Sequence, residues 1–83
     1  MEIVYAPRAL RELSALPRQA QERIVRKIHF YATQPDPLRF AKHLQGCPAY
    51  RFHVGSYRVI FKTSDDALHI IKVGKRSEIY DNL

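Results

Sequence analysis

Residues 50–62 read YRFHVGSYRVIFK, and within them Arg51, His53 and Arg58 are the side chains best suited to chemistry on an anion. Guanidinium groups present fixed, forked donors that match phosphate oxygens. An imidazole beside them titrates near neutral pH and can take up or release a proton. Farther along, Arg76 adds another guanidinium, and Tyr80 adds a ring that can stack on a base together with a hydroxyl. Acting together, such groups could bind RNA and cleave it. Lys42, Lys62, Lys72 and Lys75 are better suited to general attraction for a phosphate backbone than to chemistry. Each candidate also has a plainer reading. Arg51 and Arg76 can be solvated surface arginines, His53 a cross-strand hydrogen-bond partner and Tyr80 a packing aromatic. Arg58 is harder to explain that way, because a purely structural arginine in the middle of a sheet calls for an acidic partner.

These residues depend on a β-hairpin for their placement. Gly55-Ser56 forms a two-residue loop, and glycine at its first position suits a II′ turn. That loop sets Val54 opposite Tyr57, His53 opposite Arg58, Phe52 opposite Val59, Arg51 opposite Ile60 and Tyr50 opposite Phe61. Because side chains alternate across a strand, one face then carries Tyr50, Phe52, Val54, Tyr57, Val59 and Phe61. The other carries Arg51, His53, Arg58, Ile60 and Lys62. The apolar face needs a cover, and the basic face is left as a working surface.

The cover comes from the first half of the chain. Residues 2–6 read as a short strand. Pro7 opens a helix on which Leu10, Leu13 and Leu16 recur at helical spacing. Pro17 ends that helix and starts a second one, which runs to about Thr33 with an apolar stripe of Ala20, Ile24, Ile28 and Tyr31, joined by Val25 and Ala32. Gln34-Pro35-Asp36-Pro37 stops it, and residues 38–48 read as a connecting loop. After the hairpin, a turn around Ser64-Asp65-Asp66 leads into a last strand over 67–73. A two-residue turn there puts Ile70 on the core face, whereas a three-residue turn puts His69, Ile71 and Val73 there. The order β-α-α-β-β-β makes an α+β fold, a helical hairpin packed on one face of a small, largely antiparallel sheet.

Eighty-three residues, 46% of them hydrophobic, make one domain over 1–83 with a modest core. The net charge of +6 favours an anionic partner. The single cysteine, Cys47, forbids an internal disulfide and fits a reducing cytoplasm as a partly buried loop thiol. No signal peptide and no membrane-spanning run is visible. His29, His43, His53 and His69 lack the spacing of a zinc site. There is no Gly-rich phosphate loop and no nucleophile elbow, so neither a metal nor a small-molecule cofactor is expected.

The ordered set Leu44-Gln45-Gly46, Tyr50-Arg51-Phe52-His53-Val54, Gly55-Ser56-Tyr57-Arg58-Val59-Ile60, Val73-Gly74-Lys75-Arg76 and Ser77-Glu78-Ile79-Tyr80 resembles the RelE family of toxins from type II toxin–antitoxin pairs. No one of these segments is specific, but their combination is, and with the preceding strand and helices the likeness spans nearly the whole chain. The resemblance implies a toxin that cuts messenger RNA in the ribosomal decoding site without a metal ion, the substrate's 2′-hydroxyl attacking the adjacent phosphorus. By position it assigns the catalytic set to Arg51, His53, Arg58, Arg76 and Tyr80. It also implies two partners, a cognate antitoxin protein and the ribosome with bound mRNA. RelE itself has lysines where this chain has Arg51 and His53, which leaves the identity of the general base open. The ParE branch of the same superfamily, which poisons DNA gyrase, is the alternative, along with a non-catalytic RNA- or antitoxin-binding relative.

Overall fold

The computed structural model describes residues 1–77. Strand β1 (Glu2–Tyr5) leads into helix α1 (Pro7–Ser14) and helix α2 (Arg18–Ala32). A 3-10 turn (Pro37–Phe40) and a two-residue strand β2 (Lys42–His43) follow, then β3 (Tyr50–Val54), β4 (Tyr57–Ser64) and β5 (Ala67–Lys75). The sheet order is β1-β5-β4-β3-β2, with every neighbouring pair antiparallel except β1 and β5. The α+β arrangement expected from the sequence is present. Two details differ from it: the segment 38–48 holds most of the 3-10 turn and the additional strand β2, and β5 runs two residues farther, to Lys75.

The β3–β4 hairpin has the expected register in all five pairs. Gly55 takes φ +61° in the loop while Ser56 keeps a negative φ, as a II′ turn requires. At the β4–β5 turn, Asp65 and Asp66 both adopt left-handed backbone, φ +50° and +61°, which makes a two-residue I′ turn. That turn puts Ile70 opposite Phe61. A β-bulge then shifts the register, so that Ile60 faces Lys72 and Val59 faces Val73. The extra residue, Ile71, reverses the alternation, and Ile70 and Val73 both reach the core face. Of the two readings left open by the sequence, the two-residue turn is the one present, and Val73 reaches the core through the bulge instead of a three-residue turn.

The core lies between the helices and this face. Ile24, Ile28 and Tyr31 of α2 pack with Phe52, Val54, Val59, Phe61, Leu68 and Ile70. Tyr31 and Phe52 rings lie 4.3 Å apart and Phe52 stacks on Phe61 at 4.2 Å, contacts that add about 0.5–1.5 kcal/mol per pair beyond simple burial. In α1 the inward residues are Ala9 and Leu13, one turn apart, with Leu16 partly buried. Leu10 is 48% exposed, contrary to the stripe expected from the sequence. The turn between the helices is held by Gln21, whose Nε2 donates to the carbonyls of Ser14 (3.2 Å) and Leu16 (2.8 Å), groups the end of α1 leaves open.

Strand β1 pairs with β5 only as far as Ile70. Beyond it, α1 packs along β5, and the Glu12 carboxylate accepts the Val73 N–H at 3.0 Å. A side chain thus takes the place of the missing strand at this edge. Glu12→Ala leaves that amide without an acceptor and is expected to lower stability by about 1–3 kcal/mol. Glu12→Gln, which keeps an acceptor oxygen, is expected to lose less. Urea denaturation of the two variants checks this, and equal stability of Glu12→Ala and the parent would refute it.

Candidate functional site

On the face of the sheet away from the helices, the side chains run in cross-strand rows. One row is Lys42, Arg51, Ile60 and Lys72; the next is His53, Arg58 and Gly74. Both follow from the hairpin register together with strand alternation. Gly74 brings no side chain to its row. Part of this face is covered. Ile60 is fully buried beneath Leu44, Cys47 and Ala49 of the segment 44–49. The expectation of an entirely open basic face is corrected to that extent, and Cys47 is the partly buried free thiol that was expected.

Arg58 is only 4% exposed. Its Nη1 reaches the Tyr57 carbonyl at a long 3.5 Å, and among the described residues its Nε has no hydrogen-bond partner. Among the described residues no acidic side chain pairs with Arg58 or His53, the ion pairs Arg8–Glu12 and Arg18–Glu22 lying on the helices. A buried guanidinium with an unmet donor is costly unless something else satisfies it. An anion drawn close to the guanidinium would offset part of that cost through its charge.

His53 sits opposite Arg58 with its ring exposed. Its imidazole is held below the usual histidine range by desolvation and by the positive charges of Arg58, Arg51, Arg76 and Lys42. The neutral ring is therefore the favoured form at physiological pH, able to accept a proton. These four cations thus lie within electrostatic reach of the ring. Arg76 is further anchored through its backbone, its N–H donating to the Ser56 carbonyl at 3.1 Å. It lines a hollow of about 380 Å³ with Ser56, Lys75 and Ser77. On the other side of His53 a groove of about 220 Å³ is lined by Arg39, Phe40, Ala41, Lys42, Arg51 and His53.

Of the residues singled out from the sequence, Arg51, His53, Arg58, Arg76 and Lys42 come together. Lys75 pairs with Tyr57 and so shares the helical face, at the rim of the Arg76 hollow. Lys62 lies farther along β4, away from the cluster. Tyr80 falls outside the described residues. Arg39 and Phe40 were not anticipated. They reach the groove because the 3-10 turn, rather than a plain loop, follows Asp36. Phe40 is 44% exposed and packs on Tyr31 at 5.2 Å, which leaves the rest of its ring available for stacking. Among the described residues no three His, Cys, Asp or Glu side chains are grouped as metal ligands, and no helix is long and apolar enough to cross a membrane.

A helical hairpin on this sheet, with a cationic cluster on the opposite face, defines a toxin of the RelE/ParE superfamily. The chain belongs to the family described as the ParE toxin of the type II toxin–antitoxin system parDE, whose profile matches residues 3–80. Among solved structures, the isolated RelE toxin of E. coli is similar at 27% identity, with a TM-score of 0.75 over 93% of this chain and 87% of that one. The intact E. coli RelBE toxin–antitoxin complex is similar at 25% identity, with a TM-score of 0.74 over 89% and 94%. The RelBE2 toxin–antitoxin complex of Mycobacterium tuberculosis shares the fold at 23% identity, with a TM-score of 0.76 over 93% and 92%. Comparison with curated protein sequences gives no match.

Proposed function

We propose that this toxin is a ribosome-dependent endoribonuclease that cleaves messenger RNA in the cytoplasm without a metal ion, and so stops translation. The observation that carries this reading is Arg58, a buried guanidinium with a free Nε beside an imidazole kept neutral. In the reaction, the substrate's 2′-oxygen bonds to the adjacent phosphorus and gives its proton to His53. Arg51 and Arg58 stabilise the charge that builds on the phosphorane oxygens. The bond from phosphorus to the 5′-oxygen then breaks, with Arg76 beside the leaving oxygen, which takes a proton from the His53 imidazolium or from solvent. The products are a 2′,3′-cyclic phosphate and a 5′-hydroxyl. Tyr80 is assigned base stacking on the family resemblance alone. The E. coli and M. tuberculosis relatives are toxin–antitoxin complexes, and a cognate antitoxin is the corresponding partner here.

Four cations around one imidazole attract RNA but do little to align a 2′-hydroxyl in line with its phosphate, so alignment falls to the ribosome. The full chain is expected to cut mRNA in programmed ribosomes at least about 10²-fold faster than the same RNA free in solution. Its binding to free RNA is expected to weaken steeply as salt rises. Equal turnover on naked RNA would refute ribosome dependence. The ParE description of the family supports a second reading, inhibition of DNA gyrase. Pulse labelling after induction separates the two: translation stops first under the nuclease reading, DNA replication first under the other.

A further inference from the structure

The segment 44–49 divides the sheet face, and a further pocket lies on its far side. This hollow, about 210 Å³, has Cys47, Ala49, Ile60 and Ile71 as an apolar floor and Arg8, Lys62 and Lys72 around it. The β-bulge builds it by bringing Ile71 and Lys72, adjacent in sequence, to the same hollow. Helix α1, packed along the edge of β5, adds Arg8. Lys72 is 5% exposed and, among the described residues, has no ion pair or hydrogen bond from its side chain. Its stem is buried along the apolar hollow while its ammonium is not among the buried, unsatisfied groups, so the charge is presented at the pocket's mouth.

We propose that this pocket is a second nucleotide subsite, taking a base of single-stranded RNA on its apolar floor and the flanking phosphate on Lys62, Lys72 and Arg8. It rests on the reading of the basic sheet face as an RNA surface and extends it beyond the His53–Arg58 cluster. The ligand class follows from the lining. An apolar floor suits the flat face of a base, and three cations with only Glu12 paired to Arg8 suit an anion attached to it. Lys62 stands four residues from Arg58 on β4, about 13 Å at ~3.3 Å per residue, so the two sites engage different nucleotides of one strand. A dinucleotide fills the first site alone, and a longer strand reaches both.

Binding of fluorescein-labelled, 2′-O-methylated oligoribonucleotides of two and eight residues to the full chain tests this at low salt. Lys62→Gln combined with Lys72→Met, which keeps the buried stem's volume, is expected to weaken octamer binding about tenfold or more and leave the dinucleotide unchanged. The octamer's log–log salt dependence should become shallower by about 0.7 for each phosphate no longer neutralised. Bound octamer should also protect Cys47 from iodoacetamide, and bound dinucleotide should not. Lys62→Gln alone, at an exposed position, is expected to show the same pattern more weakly should the double variant fold poorly. Unchanged octamer affinity in Lys62→Gln and in the double variant, or equal loss for both ligands, overturns the second subsite. If Arg58→Met weakens both ligands in that same series, the primary site stands without it. If no variant alters octamer binding, both readings fall.

Discussion

Replacing His53 by glutamine lowers the rate of the cleavage step by about 10²–10⁴-fold, the range for loss of a general base, with little change in ribosome binding. Glutamine preserves the side chain's polarity and most of its volume but cannot accept a proton at neutral pH. The parent's rate should rise with pH through the imidazole's depressed pKa and level off above it, because only the neutral ring is a base. The direction follows from the surroundings: desolvation and the charges of Arg58, Arg51, Arg76 and Lys42 all favour the unprotonated ring. A bound phosphate acts in the opposite sense. The inflection measured at saturating toxin should therefore lie above that measured at subsaturating toxin, which reports the free protein. Single-turnover cleavage on programmed ribosomes from about pH 5.5 to 8.5 shows both. A glutamine variant with the parental rate and pH profile would remove His53 from the base role and leave the chemistry to Arg51, Arg58 and Arg76.

The geometry behind this expectation was largely legible in the sequence, because a two-residue loop leaves a hairpin no freedom of register. Once Gly55-Ser56 is taken as the turn, alternation alone sets His53 opposite Arg58 and Arg51 one step away. The rest was hidden for identifiable reasons. Ile71 is identical to Ile70 before it, so nothing in its identity marks it as the bulge residue, and the parity of β5 stayed open. β2 is two residues long and shows no periodicity. In α1 the small Ala9 takes the buried place that leucine spacing offered to Leu10, since a short helix at a sheet edge buries only a narrow strip. The depth of Arg58 and Lys72 could not be read from a pattern that registers only faces. Arg76 was a candidate from its residue type, the family resemblance gave its catalytic assignment, and its electrostatic proximity to His53 comes from the fold.

Arg58→Met is expected to slow cleavage by about 10²–10³-fold and at the same time to leave the melting temperature unchanged or raise it. The two halves have one cause. In the free protein the Arg58 guanidinium is buried and, among the described residues, holds one long contact to the Tyr57 carbonyl and has no acceptor for its Nε. A charge in that state opposes folding, and an unbranched apolar side chain of similar length removes the penalty while filling the same space. During the reaction the unmet donor and the low-dielectric surroundings become assets. The phosphorane's extra negative charge meets a cation that needs no reorientation and has little water to displace. Arg58→Lys keeps the charge but loses the fork, so its rate should fall between those of the parent and the methionine variant. Thermal unfolding and single-turnover cleavage on the same preparations test the coupling. A methionine variant that cleaves at the parental rate would show that Arg58 does not touch the reaction. One that melts several degrees lower would show that the guanidinium supports the sheet instead.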